Sequence, residues 1–148
     1  MSKGPGVPPT SLAFVIAAAG RRAQREMDEA VRDLGLSMRH LGALGHLARN
    51  EDLSASDLAR RSKITAQSMH VTIGELVDRG ALRRDSSGRG RRAKLQVTAV
   101  GQRLLQQGMA AVAGVDASIE AELGDLGPAQ QEALARYGLQ GPPPSTQT

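Results

Sequence analysis

Residues 54–84, SASDLARRSKITAQSMHVTIGELVDRGALRR, decide the fold. Ser54 and Asp57 form an S-x-x-D pair, the sequence signature of a capping box, and Leu58 and Ala59 follow as inward positions of a short helix. A second start signal comes at Thr65, and Gly80 supplies a stop. With Met69 as the origin and about 100° per residue, Ile73, Leu76 and Val77 fall beside it. Gln67, His70, Val71 and Gly74 fall on the opposite side. The second helix therefore has one face to bury and one outer face of short, weakly charged side chains.

After Gly80 the apolar period shortens from that of a helix to that of a strand. "ALRR" and "AKLQV" are brief, and Leu95 and Val97 alternate with Lys94 and Gln96, the pattern of half-buried strands. They flank a tip with Gly88, Gly90, Arg89, Arg91 and Arg92, so the spacing predicts a β-hairpin with a cationic end. Thr98 then caps a long helix whose stripe is Val100, Leu104, Leu105, Met109, Val112, Val115, Ile119 and Leu123. Gly101, Gly108 and Gly114 weaken that helix locally, so packing must support it. A short last helix starts near Pro128 and is expected to break at Gly138.

Upstream, Ser37 caps a helix with Leu41, Leu44 and Leu47 inward. A longer helix runs from Ser11 to Gly35, with Leu12, Val15, Ile16, Ala19, Ala23, Met27, Ala30, Val31 and Leu34 at three- and four-residue steps. It carries more apolar surface than one small domain needs, which suggests pairing with another subunit. Residues 1–10 and 140–148 are Gly- and Pro-rich and are expected to be tails.

The predicted class is mainly α with a small β-hairpin. A winged helix-turn-helix domain (36–97) lies between dimerisation helices at 11–35 and 98–139. In that arrangement the second helix of the turn presents its outer face to the DNA major groove. Gln67 suits a bidentate pair with adenine, His70 a bond to guanine or phosphate, and Val71 a thymine methyl. Ser54, Ser56, Thr65 and Ser68 lie near helix N-termini, where amides and hydroxyls hold phosphates. Arg89, Arg91, Arg92 and Lys94 lie where a wing meets the flanking minor groove.

Composition narrows the alternatives. The net charge is +4 and the excess is uneven: residues 104–148 hold Asp116, Glu120, Glu122, Asp125 and Glu132 against Arg136 alone. A polyanionic partner is thus expected on the first two thirds. The chain has no cysteine, which removes disulfides and thiol sensing. His40, His46 and His70 form no metal-spaced cluster, so no cofactor is expected. Phe14 and Tyr137 are the only aromatics, too few for a single-strand stacking platform. "SLAFVIAAAG" (11–20) is too short to cross a bilayer, and a cytoplasmic protein without a membrane partner is expected. No base–acid arrangement activates a serine, so an enzyme is not expected.

Two stretches, "DLARRSKITAQSMHVTIGELVDRGALRR" and "GRGRRAKLQVTAVGQRLL", resemble the helix-turn-helix and wing of the MarR family of bacterial transcriptional regulators. In the second, Val97-Thr98-Ala99-Val100-Gly101 stands for the family's L-T-x-x-G. The resemblance covers about residues 11 to 139. It implies an obligate homodimer on a pseudo-palindromic operator, acting as a repressor released by a small lipophilic or aromatic molecule bound between the DNA lobe and the dimer helices. Leu12, Val15, Ile16 and Met109 are candidates for that lining. The chain departs from the family at the wing, where Arg89 replaces the usual Asp two residues before Arg91. Two rival readings are a non-specific architectural DNA-binding protein and a winged-helix module that binds another protein.

Overall fold

The computed structural model describes residues 11–85 and 94–139. The expected tails at 1–10 and 140–148, and the wing tip with Arg89, Arg91 and Arg92, lie outside the described residues. The elements are α1 (Leu12–Arg32), α2 (Met38–Arg49), α3 (Ala55–Arg61), α4 (Ala66–Asp78), β1 (Leu82–Asp85), β2 (Lys94–Val97), α5 (Ala99–Leu123) and α6 (Pro128–Leu139). The chain divides into two compact units, residues 1–115 and 116–148, with the boundary inside α5.

Each helix start follows from its capping residue. The side chains of Ser11, Ser37, Ser54 and Thr65 accept from the backbone N–H groups of Phe14, His40, Asp57 and Ser68. Ser37 and Ser54 head reciprocal boxes, because His40 and Asp57 accept in return from the cap N–H groups. Gly35 and Gly80 follow α1 and α4 with φ of 68° and 71°, the left-handed conformation that glycine adopts without a Cβ clash.

The core of the first unit gathers Leu44 and Leu47 of α2, Leu58 of α3, and Met69, Ile73 and Leu76 of α4 over Leu82 and Leu95 of the hairpin. The hairpin is antiparallel, with Leu82 opposite Val97 and Arg84 opposite Leu95. Residues directly opposite share a face of the sheet, so Arg84 projects on the same side as buried Leu95. A second cluster of Val31, Leu36 and Leu41, with Leu104, Leu105, Ala111 and Val112 against it, joins α1 and α2 to the early part of α5.

The Thr98-x-x-Gly101 motif is the joint that sets α5. Thr98 donates its hydroxyl to the Gly80 carbonyl and its N–H to the Ala81 carbonyl, and accepts from the Gly101 N–H. A Cβ at Gly101 would lie 2.2 Å from the Ala81 carbonyl oxygen, so only glycine permits this approach. At Gly108 the added atom would lie 2.4 Å from Leu41 Cδ1. Two of the three glycines that weaken α5 are thus where it packs closest.

The last helix differs from expectation. α6 continues through Gly138 to Leu139. One glycine in an exposed final turn costs about 1 kcal/mol of propensity, which is not enough to break a helix. Met109 of the α5 stripe is exposed, whereas Val115 is buried.

Candidate nucleic-acid interface

The inward face of α4 buries Met69, Thr72, Ile73 and Leu76. Gln67, His70 and Val71 are exposed, as the periodicity predicts. Thr72 completes the inner face by donating its hydroxyl to the Ser68 carbonyl at 2.9 Å, which lets a polar residue be buried with its donor satisfied. At the N-terminus, Thr65 accepts from the Ser68 N–H at 3.1 Å and donates its hydroxyl to Ser68 Oγ at 2.9 Å. The turn from α3 to α4 closes with the Ile64 N–H donating to Ala59 O, and the Lys63 N–H to Arg60 O. This pairing places Lys63 in the left-handed region, φ 53°, the only non-glycine residue there among those described.

Beside α4 lies a cleft of about 300 Å³ lined by Ser54, Ala55, Ser56, His70, Ile73, Arg84 and Leu95. Its floor is apolar and its rim carries two hydroxyls, an imidazole and a guanidinium. It therefore joins the start of α3, the outer edge of α4 and the hairpin in one concave surface. The α3 start is held by Asp57, whose Oδ2 accepts the Ser54 N–H at 3.0 Å and the Ser54 hydroxyl at 2.7 Å. Those bonds, the hydroxyl first, hold the Asp57 carboxyl below its usual 3.8; desolvation opposes them and Arg60 assists.

Behind the helix, His40 fixes α4 to α2. Its Nδ1 accepts the Ser37 N–H at 3.0 Å, so in this arrangement the ring proton is on Nε2, and Nε2 donates to Glu75 Oε2 at 2.6 Å. The histidine is 7% exposed, and one side chain thereby caps α2 and restrains the C-terminal half of α4. His46, further along α2, is held below its usual 6.5 by burial and then by the Arg49 and Arg61 guanidiniums. At the base of the wing Lys94 donates to Asp52 at 3.2 Å. Arg83 donates to Gln96 across the strands at 2.6 Å.

Of the residues expected to face DNA, Ser54, Ser56 and His70 meet in the cleft. Gln67 and Val71 stand on the exposed face of α4, and Thr65 and Ser68 at its start. Lys94 is exposed beside Asp52. Leu12, Val15 and Met109 are exposed and Ile16 is half-buried; none of them lines the cleft. Arg84 in the cleft and the His40–Glu75 bond are features that the helical periodicity alone does not reveal. For Arg84, the two-residue alternation from Leu82 carries the signal.

These elements, in this order, define a winged helix-turn-helix protein with long flanking helices. The MarR family model matches residues 34–93. The HTH-type transcriptional repressor Rv2887 of Mycobacterium tuberculosis is 31% identical over 122 residues, covering 82% of this chain and 86% of the relative. The solved structure of Rv2887 in complex with DNA is similar at a TM-score of 0.69 and 27% identity, over 86% of this chain and 93% of that one. Its complex with salicylic acid gives 0.67 and 29%, over 87% and 94%. The chain belongs to the MarR family, a family of transcriptional regulators. No helix among the described residues is long and apolar enough to cross a membrane.

Proposed function

We propose that this protein is a dimeric, sequence-specific duplex-DNA-binding repressor, released by a small aromatic or lipophilic effector. The observation that carries the reading is the joined surface of α4 and the cleft. Gln67, His70 and Val71 stand exposed on one helix, next to Ser54, Ser56 and Arg84. Base edges need short polar or apolar side chains on a helix that enters the major groove. Phosphates need hydroxyls, amides and guanidinium groups along its margin. The surface offers both sets side by side. The relative solved with DNA supports this use of the fold.

Arg84 and the start of α3 hold the phosphate backbone, and Gln67 reads bases. Arg89, Arg91 and Arg92 extend the contact from the wing. The role is regulatory binding in the cytoplasm, without turnover. Dimerisation is supported by Leu12, Phe14 and Val15 on α1, Met109 and Leu123 on α5, and Leu134, Tyr137 and Leu139 on α6, all exposed in the single chain. Apolar side chains left in water on these helices are ones that a second copy would cover. Leu12, Val15, Ile16 and Met109 form the effector-lining set, and the relative's complex with salicylic acid supports an aromatic carboxylate as the first compound to try. An effector acts by favouring conformers whose two α4 helices no longer match successive major grooves.

The test is selection of duplexes from a random pool by the purified protein at about physiological salt. The expected product is a two-fold pattern with half-sites about one helical turn apart. Its affinity should exceed non-specific affinity by about 10³ or more. Enrichment of no sequence would leave only an architectural or protein-binding role.

A further inference from the structure

We infer that Val71 reads the C5-methyl group of a pyrimidine in the operator, so that each half-site carries a thymine whose methyl is a binding determinant. The inference rests on the DNA-binding reading above and adds to it the chemical group recognised. Among the described residues, every large hydrophobic side chain exposed in the single chain belongs to α1, α5 or α6, with one exception, Val71, at 58%. The other large apolar side chains described in the winged-helix region are buried or partly buried. An isolated exposed valine is ordinary on a protein surface; this one occupies the middle of the outer face of α4, flanked by Gln67 and His70.

Three features fit it to a methyl group. Valine in a helix is held to one dominant rotamer, so its two methyls have fixed positions and need little ordering on contact. It can neither donate nor accept, so it adds no competing hydrogen bond to a base edge. One turn on, Gly74 has no side chain, and a Cβ placed there would meet nothing within 4 Å beyond its chain neighbours and the nearby helix backbone. The surface around the isopropyl group is therefore low on that side, and the valine stands proud of it. In the major groove the apolar feature of a base pair is the thymine C5-methyl. Cytosine methylated at C5 presents the same group at the same place.

The test uses the duplex recovered by selection. Each thymine is replaced in turn by deoxyuridine, at symmetric positions of both half-sites; this removes the methyl and keeps every hydrogen-bonding group. One symmetric pair should weaken binding by about fifteen-fold, about four-fold per half-site, the value of one buried methyl. The penalty should disappear in Val71→Ala and persist in Val71→Ile. Where that thymine is changed to cytosine, C5-methylation of the cytosine should regain about four-fold per half-site. Uniformly neutral deoxyuridine substitutions, or a penalty of the same size in Val71→Ala, overturn the inference while leaving the DNA-binding reading intact. A pool with no enriched sequence overturns both.

Discussion

The helices and hairpin of residues 38–97 and the flanking helices solve the same problem in opposite ways. In the first region Leu44, Leu47, Leu58, Met69, Ile73 and Leu76 are almost fully buried within one chain. In the second, α1 buries only Val31 and α6 buries nothing, although both carry leucine or aromatic side chains. The first region closes its core within one chain, with Leu104 and Leu105 of α5 packed against it. The flanking helices carry apolar surface that a single copy leaves in water; under the proposed function the first region reads DNA and the second pairs.

Breaking the closed region should have the largest effect. Leu76→Ala removes a side chain with no exposure and should cost about 2–5 kcal/mol, read as a lower midpoint in urea at any protein concentration. The flanking helices should respond otherwise. Tyr137→Asp with Leu134→Asp alters exposed positions of α6. It should shift the protein from dimer to monomer in sedimentation while the helical circular dichroism of the winged region persists. Thermal stability that depends on protein concentration in the wild type, and not in this variant, would sharpen the contrast.

Smaller effects test the interface itself. Ser54→Ala removes the cap of α3 and should cost about 1 kcal/mol. Acid should act in the same direction by two routes. His46 and Asp57 both have folded-state values below their usual 6.5 and 3.8. Each therefore favours the folded state above its usual value, and loses that contribution as pH falls from there through its folded value. Stability measured by urea unfolding should decline first as pH drops below the usual histidine value, then again below the usual Asp value. The acid-range decline should shrink in Ser54→Ala.

The smallest effect reverses sign. Lys63 is left-handed, a conformation that costs a residue with a Cβ about 1 kcal/mol. Lys63→Gly should raise the thermal midpoint slightly. Unchanged or lower stability would mean that the turn is held by more than its backbone bonds.

Much of this was legible because the signals were local. Ser37, Ser54, Thr65 and Thr98 act on N–H groups three residues away, and the 67–74 face follows from helix geometry alone. The missed features are those that need two distant segments. His40 and Glu75 are 35 positions apart, and nothing in α2 by itself shows that its third residue bonds both the cap and another helix. Arg84 enters the cleft only once the hairpin is laid over Ile73. Gly138 does not break α6 because it lies in an exposed final turn, where one glycine costs little.

Under the proposed function, α4 and the cleft, and not the flanking helices, meet duplex DNA. Amide hydrogen exchange with and without a saturating selected duplex tests it most directly. Protection should rise at the start of α3 and across residues 65–74, with little change in α1 and α6. Unaltered exchange across 65–74 in a saturated complex, with new protection confined to α1 or α6, would contradict the account.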